Sequence, residues 1–111
     1  MLVHKKYTYI DTGNIYEGQW FMGFRHGKGI MYFNDGATYE GDWNLGYAQG
    51  YGKFTNSIGE TYEGEWVDNM RHGKGISIHQ NGGKYEGQWF KNAQCGVGVE
   101  LWQDENFKGT Y

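Results

Sequence analysis

Proline is absent from the 111 residues, and there is one cysteine, Cys95. No intrachain disulfide can form, and a lone free thiol suits a reducing compartment. No apolar run approaches the roughly 20 residues of a membrane-spanning helix. The opening Met1-Leu2-Val3-His4-Lys5-Lys6 lacks the long apolar core of a secretory signal. A soluble, cytoplasmic protein is the expectation. Aliphatic side chains are also scarce: hydrophobic residues are 38% of the chain and aromatic ones alone are 19%. That balance argues against a globule with a thick aliphatic core and for thin sheets in which rings lie against glycines. Basic residues are outnumbered 10 to 13, for a net charge of -3. A nucleic-acid partner would want a clustered basic face, so none is expected. Docking to an acidic membrane becomes a secondary option.

Glycine is abundant, at 20 residues. Many glycine-rich chains are disordered, but here the glycines and rings follow a strict period. Tyr16-Glu17-Gly18-Gln19-Trp20 returns as Tyr39-Glu40-Gly41-Asp42-Trp43, as Tyr62-Glu63-Gly64-Glu65-Trp66 and as Tyr85-Glu86-Gly87-Gln88-Trp89, in steps of 23 residues. A fixed period of that size marks a repeat array.

The first unit, 16–38, sets the pattern. Tyr16 to Trp20 reads as a short strand, and Phe21 to Arg25 as a turn in which Gly23 can take positive φ. His26-Gly27-Lys28-Gly29-Ile30-Met31-Tyr32-Phe33 reads as the returning strand, and Asn34-Asp35-Gly36-Ala37 as a second turn. Both connections are short, so neighbouring strands are expected to be antiparallel. Unit 39–61 carries Gln49-Gly50-Tyr51-Gly52 where the first has His-Gly-Lys-Gly. Unit 62–84 restores His72-Gly73-Lys74-Gly75, and unit 85–106 carries Cys95-Gly96-Val97-Gly98 and runs one residue short. Residues 1–15 form a half-unit or capping strand, with Tyr7-Thr8-Tyr9-Ile10 as the strand and Ile10 at the place of Phe33. Phe107-Lys108-Gly109-Thr110-Tyr111 begins a fifth unit or forms an edge strand. The whole is one continuous domain.

Alternation puts Tyr16, Gly18 and Trp20 on one face and Glu17 and Gln19 on the other. Pairing Trp20 near Gly27 sets Gly29 near Gly18 and Met31 near Tyr16, so large rings lie beside bare glycines. Glycine weakens an isolated strand, and ring cover across the strands would compensate. The second face carries Glu17, Glu40, Glu63 and Glu86, with Lys28 and Lys74 expected across from them. Such a column is either a solvated face with ion pairs or a groove for a cation or ligand. The same face turns aliphatic in the last two units, at Ile76 and Ile78 and then Val97, Val99 and Leu101. A contiguous apolar patch of this kind marks a partner surface, unless the sheet curls to close on it.

No catalytic constellation emerges. Gly27-Lys28-Gly29 and Gly73-Lys74-Gly75 lack the length, the Lys-Ser/Thr ending and the helix of a phosphate loop. His26 and His72 stand 46 residues apart, two units, too far to share a metal. Cys95 holds the matching place in the fourth unit and is isolated. No nucleophile has a base in reach, so neither enzyme activity nor a metal or cofactor is expected. The histidines read as turn-end residues bonding nearby backbone.

Tyr-x-Gly-x-Trp, a glycine turn, His-Gly-x-Gly and then Asp-Gly together resemble the MORN repeat. The resemblance spans residues 16–106, with part-units at both ends. Gln49 and Cys95 stand for the usual histidine, and Asp104-Glu105 for Asp-Gly. The resemblance implies an all-β fold: a single-layer, twisted antiparallel sheet of stacked hairpins, about ten short strands without substantial helix. It further implies a non-catalytic scaffold or adaptor for protein partners or a second copy, through a sheet face or edge, in a cytoskeletal or ciliary assembly such as the axoneme or radial spoke. Partner-binding candidates are Ile76, Ile78, Val97, Val99, Leu101, Phe107 and Tyr111. Two alternatives accompany it. One is a phosphoinositide-binding module using Lys28, Lys53, Arg71, Lys74 and Lys84. The other is the regulatory array of a larger enzyme. The structural residues would be the Tyr, Gly and Trp of each pentapeptide and the glycine pairs Gly27/Gly29, Gly50/Gly52, Gly73/Gly75 and Gly96/Gly98.

Overall fold

The computed structural model describes residues 2–91, 93–101 and 108–110, with side chains through residue 91. Its strands are β1 (Val3–Thr8), β2 (Ile15–Phe21), β3 (Phe24–Tyr32), β4 (Thr38–Asn44), β5 (Tyr47–Thr55), β6 (Thr61–Val67), β7 (Met70–Ile78), β8 (Lys84–Phe90), β9 (Ala93–Leu101) and β10 (Lys108–Thr110). They form one ten-stranded sheet in strict chain order, every neighbouring pair antiparallel. No helix occurs among the described residues. The expected open sheet of stacked hairpins is what the chain forms, 47 × 25 × 19 Å overall.

Two kinds of connection alternate. Each hairpin tip has only two residues, because Phe21 pairs with Phe24 and Asn44 with Tyr47. Both tip residues take positive φ: Met22 at 49° with Gly23 at 83°, Leu45 at 46° with Gly46 at 95°, and Asp68 at 50° with Asn69 at 68°. This is the primed turn whose twist matches that of the flanking strands. Successive hairpins are joined by three-residue loops, as where the Phe33 amide donates to Ala37 O at 2.9 Å and the Gly36 amide to Phe33 O at 3.1 Å. The first such loop is one residue longer: the Tyr9 amide bonds Asn14 O and the Gly13 amide bonds Tyr9 O. Tyr9, rather than the expected Ile10, therefore occupies the place of Phe33, and Ile10 is 95% exposed. The first strand accordingly ends at Thr8 instead of running through Ile10.

The register within a hairpin agrees with expectation at Tyr16↔Met31 and Gly18↔Gly29, then departs from it. Trp20 faces Arg25, not Gly27. The returning strand bulges between these pairs, so His26, Gly27 and Lys28 oppose Gln19 alone, and Gly27 sits at φ 88°. Gly27 meets a tryptophan after all, but it is Trp43 of the next hairpin. The side chain at the fourth pentapeptide position closes the bulge. Gln19 Oε1 accepts from the Lys28 amide at 2.8 Å, Asp42 Oδ2 from the Tyr51 amide at 3.0 Å, and Glu65 Oε1 from the Lys74 amide at 2.7 Å.

The core is a ladder of rings on one face. Tyr16, Tyr39, Tyr62 and Tyr85 are buried, as are Trp43, Trp66 and Trp89. Each tyrosine hydroxyl donates to a backbone carbonyl of its own unit: Tyr16 to Gln19 O, Tyr39 to Asp42 O, Tyr62 to Glu65 O and Tyr85 to Gln88 O, at 2.8–3.1 Å. The tryptophans reach into the unit before. Trp43 Nε1 donates to Gly29 O at 3.1 Å and Trp66 Nε1 to Gly52 O at 3.0 Å. Trp20 does the same to Lys5 O at 2.9 Å, so β1 takes the part that a returning strand plays for the later tryptophans. Edge-to-face pairs alternate within and between units: Tyr16–Trp43 at 5.3 Å, Trp43–Tyr39 at 5.1 Å, Tyr39–Trp66 at 5.1 Å and Trp66–Tyr62 at 5.2 Å. Such pairs each contribute about 0.5–1.5 kcal/mol beyond area burial. Glycine is required beneath them. A Cβ on Gly52 would lie 2.5 Å from Tyr39 Cζ, and one on Gly18 would lie 2.6 Å from Lys28 O.

Candidate functional site

The two faces of the sheet offer different chemistry. On the face opposite the rings, one row crosses the sheet as Lys6, Glu17, Ile30, Glu40, Lys53, Glu63, Ile76, Glu86 and Val99. The glutamates alternate with aliphatic and lysine residues and are two strands apart, so they do not stack on one another. Lys28 and Lys74 were expected across from them. They instead face Asp42 and Gln88 of the next unit, and Lys28 Nζ forms an ion pair with Asp42. The bulge causes this, because it shifts the strand past Gln19 before Lys28 finds a partner.

The same register places the aliphatic candidates. Ile76 and Val99 flank Glu86, and Ile78 and Leu101 flank Lys84. Lys84 Nζ lies 3.9 Å from Glu86 Oε1, so an exposed ion pair runs between the two aliphatic columns. Ile78 is 45% exposed and Ile76 half-buried. The side chains of Val97, Val99, Leu101 and Cys95, and residues Phe107 and Tyr111, lie outside the described residues. So do any contacts of Gly96 and Gly98, although their backbone belongs to β9. Of the five cations considered for lipid head groups, Lys28, Lys53, Lys74 and Lys84 share the carboxylate face, whereas Arg71 is on the ring face over Trp89. Lys53 itself stands between Glu40 and Glu63.

The ring face carries a feature that the sequence pattern alone does not reveal. A groove of about 560 Å³ opens over Met31, Phe33, Phe54 and Trp66, with Arg25 toward one end and Arg71 toward the other. Arg25, Ala48 and Arg71 are equivalent positions, each opposite the tryptophan of its own hairpin. The Arg25 guanidinium lies 5.1 Å from the Trp43 ring centre and that of Arg71 lies 4.6 Å from the Trp89 ring centre. Both arginines thus cover the tryptophan of the following unit. At the equivalent place Ala48 has no side chain long enough to reach Trp66, yet both are buried, and Phe54 packs edge-on against Trp66 at 6.4 Å. Arg25 donates to Tyr9 Oη at 2.8 Å and to Gly46 O at 2.6 Å. Its Nε is buried without a partner. Burial lowers the pKa of Arg71 and pushes the hydroxyls of Tyr16 and Tyr62 up to about 12.

The histidine expectation is met at His26, whose Nδ1 accepts the Leu45 amide at 3.1 Å and so ties one hairpin tip to the next. The His72 ring lies 5.3 Å from Phe90. Among the described residues no group of three or more His, Cys, Asp or Glu could hold a metal ion. No helix there is long and apolar enough to cross a membrane.

No curated protein matches this chain. The sequence model of the MORN repeat does match, in four consecutive segments, 16–38, 39–61, 62–84 and 85–107. The family supplies repeat modules for protein interaction or membrane binding, and is generally non-catalytic. Four matches covering most of the chain, on an open sheet whose rings and glycines repeat with the same period, make this chain a member of the MORN-repeat family.

Proposed function

We propose that the chain is a non-catalytic scaffold that binds protein partners within a larger assembly of cytoskeletal or ciliary type. The observation that supports binding is the carboxylate face. It keeps Tyr32, Tyr51 and Ile78 in solvent on a sheet that no second layer of the described residues covers. Apolar groups held in water by a rigid scaffold are the raw material of a partner surface. The cytoskeletal or ciliary setting is carried by the family resemblance alone. Ile76 and Ile78, extended by Val97, Val99 and Leu101, form the surface assigned to the partner. The tagged chain is purified from its source cells beside Ile78→Glu and Val99→Glu variants, and co-purifying proteins are identified by mass spectrometry. A partner lost from both variants, with their thermal transitions unchanged, supports the surface; a partner retained by both rejects it. Sedimentation with acidic vesicles at low and high salt separates the membrane alternative. Salt-sensitive vesicle binding without a protein partner would replace the scaffold reading.

A further inference from the structure

The first strand offers a different kind of surface, its open edge. β1 pairs with β2 on one side and with none of the described residues on the other. All six of its residues are exposed, Val3 and Tyr7 included. The Tyr9 amide points toward β2 to reach Asn14 O, and Lys5 O accepts Trp20 Nε1 on the same side. Alternation along the strand then turns the amides and carbonyls of His4, Lys6 and Thr8 to the open side. The strand is also basic, although the chain as a whole is acidic. His4, Lys5 and Lys6 stand together, with no acidic residue between Val3 and Thr8. Among the described residues neither lysine forms an ion pair, and Lys5 Nζ lies 5.3 Å from the Trp20 ring centre.

We propose that the open edge of β1 binds an extended acidic segment of a protein partner, which adds to the sheet as a further strand with neighbouring carboxylates on Lys5 and Lys6. The inference rests on the chain being a protein-interaction module, and names the chemistry and the place of one partner. A second copy of this chain does not fit. Within the array Tyr16, Tyr39 and Tyr62 lie over Gly29, Gly52 and Gly75, and a Cβ on Gly52 would lie 2.5 Å from Tyr39 Cζ. β1 pairs with β2 as β3 pairs with β4, so Lys5 holds the place of Gly29. A Tyr-x-Gly strand from another copy would drive its ring into Lys5. Two β1 strands would repel each other as well. Their antiparallel registers of greatest overlap set Lys5 against Lys5 or Lys6 against Lys6, and like charges directly opposite are destabilising. Lysines on an open edge thus turn away copies of the chain and admit a strand of opposite charge. A nucleic acid or an acidic vesicle would meet the lysines but has no peptide backbone to pair with the edge. Lys5 shares the ring face with Val3 and Tyr7, and Lys6 shares the other face with His4 and Thr8. The fitting segment therefore carries two neighbouring Asp or Glu residues, one for each face, with apolar residues on the ring face to cover Val3 and Tyr7.

The test is a displayed library of segments of about ten residues, threonine and valine in alternation with randomised central positions, selected against the whole chain. The expected binders carry neighbouring acidic residues. A selected peptide should protect the amides of His4, Lys6 and Thr8 from hydrogen exchange, and methylating its alternate amide nitrogens should abolish binding. The double variant Lys5→Gln, Lys6→Gln should bind about three- to tenfold more weakly, the size of two cross-strand charge pairs. A peptide with lysines for its acids should bind the double variant Lys5→Glu, Lys6→Glu in its place. Replacing the peptide's carboxylates by amides gives the same loss against unaltered protein, so the answer does not depend on how the variants fold. Absence of binders overturns the proposal, as do binders without acidic residues or protection confined to other amides. Acidic vesicles or oligo-dT bound through Lys5 and Lys6, in place of peptide, would also overturn it. So would protection of the same three amides on concentrating the chain alone, which would make the edge a contact between copies. Ile78→Glu should leave peptide binding unchanged. If the edge fails while the Ile78-dependent partner is still captured, the scaffold reading stands and this inference alone falls.

Discussion

The ring face and the carboxylate face are made by the same strands, yet they respond to sequence in opposite ways. On the ring face the side chains interlock. A tyrosine ring lies over two glycines, its hydroxyl bonds its own unit, and the next tryptophan bonds the unit before. The glycines under the rings cannot gain a methyl group without moving a ring or a strand. On the carboxylate face the side chains meet as exposed cross-strand neighbours, and Ile30, Lys53 and Ile76 occupy equivalent places. One face therefore holds the array together through rings and glycines that repeat unchanged; the other takes isoleucine or lysine at the same position. Two rows of the ring face do vary: Met31, Phe54 and Ser77 opposite the tyrosines, and Arg25, Ala48 and Arg71 opposite the tryptophans.

The sharpest way to break this contrast is to add one methyl group to the ring face. Gly52→Ala places Cβ inside the Tyr39 ring, with Trp66 bonded to the same glycine's carbonyl. A loss of about 3 kcal/mol or more is expected, at the upper end of single-substitution effects. The check is the denaturant midpoint at unchanged slope. A loss below about 1 kcal/mol, as for a surface change, would mean that the ring does not rest on this glycine.

High pH attacks the same face without mutation. Burial raises Tyr16 and Tyr62 to about 12 and Tyr39 further still, from an ordinary value of 10.0. The folded-state values lie above the unfolded ones, so the fold favours the neutral phenol. That stability is fully present below pH 10 and is lost as pH rises toward 12 and the unfolded chain releases its protons first. Equilibrium unfolding between pH 9 and 12 should show the decline, and Tyr62→Phe should flatten it. An unchanged curve in that variant would place the pH response elsewhere.

Much of this was legible in the sequence, and what was missed has identifiable physical reasons. The period located every hairpin, and Tyr-x-Gly set against Gly-x-Met located the rings over glycines. The Trp20–Gly27 pairing was wrong because a bulge of three residues against one leaves the period intact, so counting cannot detect it. The signal was present at the fourth pentapeptide position, where Gln19, Asp42, Glu65 and Gln88 all supply a side-chain oxygen. A bulge amide needs such an acceptor. The early loop slipped because Tyr9, not Ile10, is the ring that fits under Arg25, and the sequence offers one residue too many there. The groove depends on side chains reaching from one unit over the next. That direction follows only from the true register.

Trp66→Phe probes the joint between units more gently. It keeps a ring but removes the 3.0 Å bond to Gly52 O and leaves a buried carbonyl wanting a donor. About 1–2 kcal/mol should be lost, with cooperativity reduced between the second and third hairpins in amide exchange. A smaller gain is expected at the tips, which belong to neither face. Leu45 is held at φ 46° and is 46% exposed, so its side chain gains little for an unfavourable backbone conformation. Leu45→Asn should stabilise the chain by about 0.5–1 kcal/mol, since Asn is the preferred first residue of this turn. A destabilised variant would reveal that the leucine packs usefully.

The smallest effect belongs to the carboxylate face. Lys28 is 76% exposed where it pairs with Asp42. Asp42 also accepts the Tyr51 amide, which closes the bulge. Removing the lysine therefore deletes only a screened surface attraction, whereas removing the aspartate opens the backbone. Lys28→Ala should cost about 0–0.5 kcal/mol and nothing in high salt, while Asp42→Ala should cost about 1–3 kcal/mol at any salt concentration. Thermal melts of both variants at two ionic strengths separate the two roles. Equal losses that both vanish in salt would show that the bulge closes without its acceptor, and that the two faces are less independent than their packing indicates.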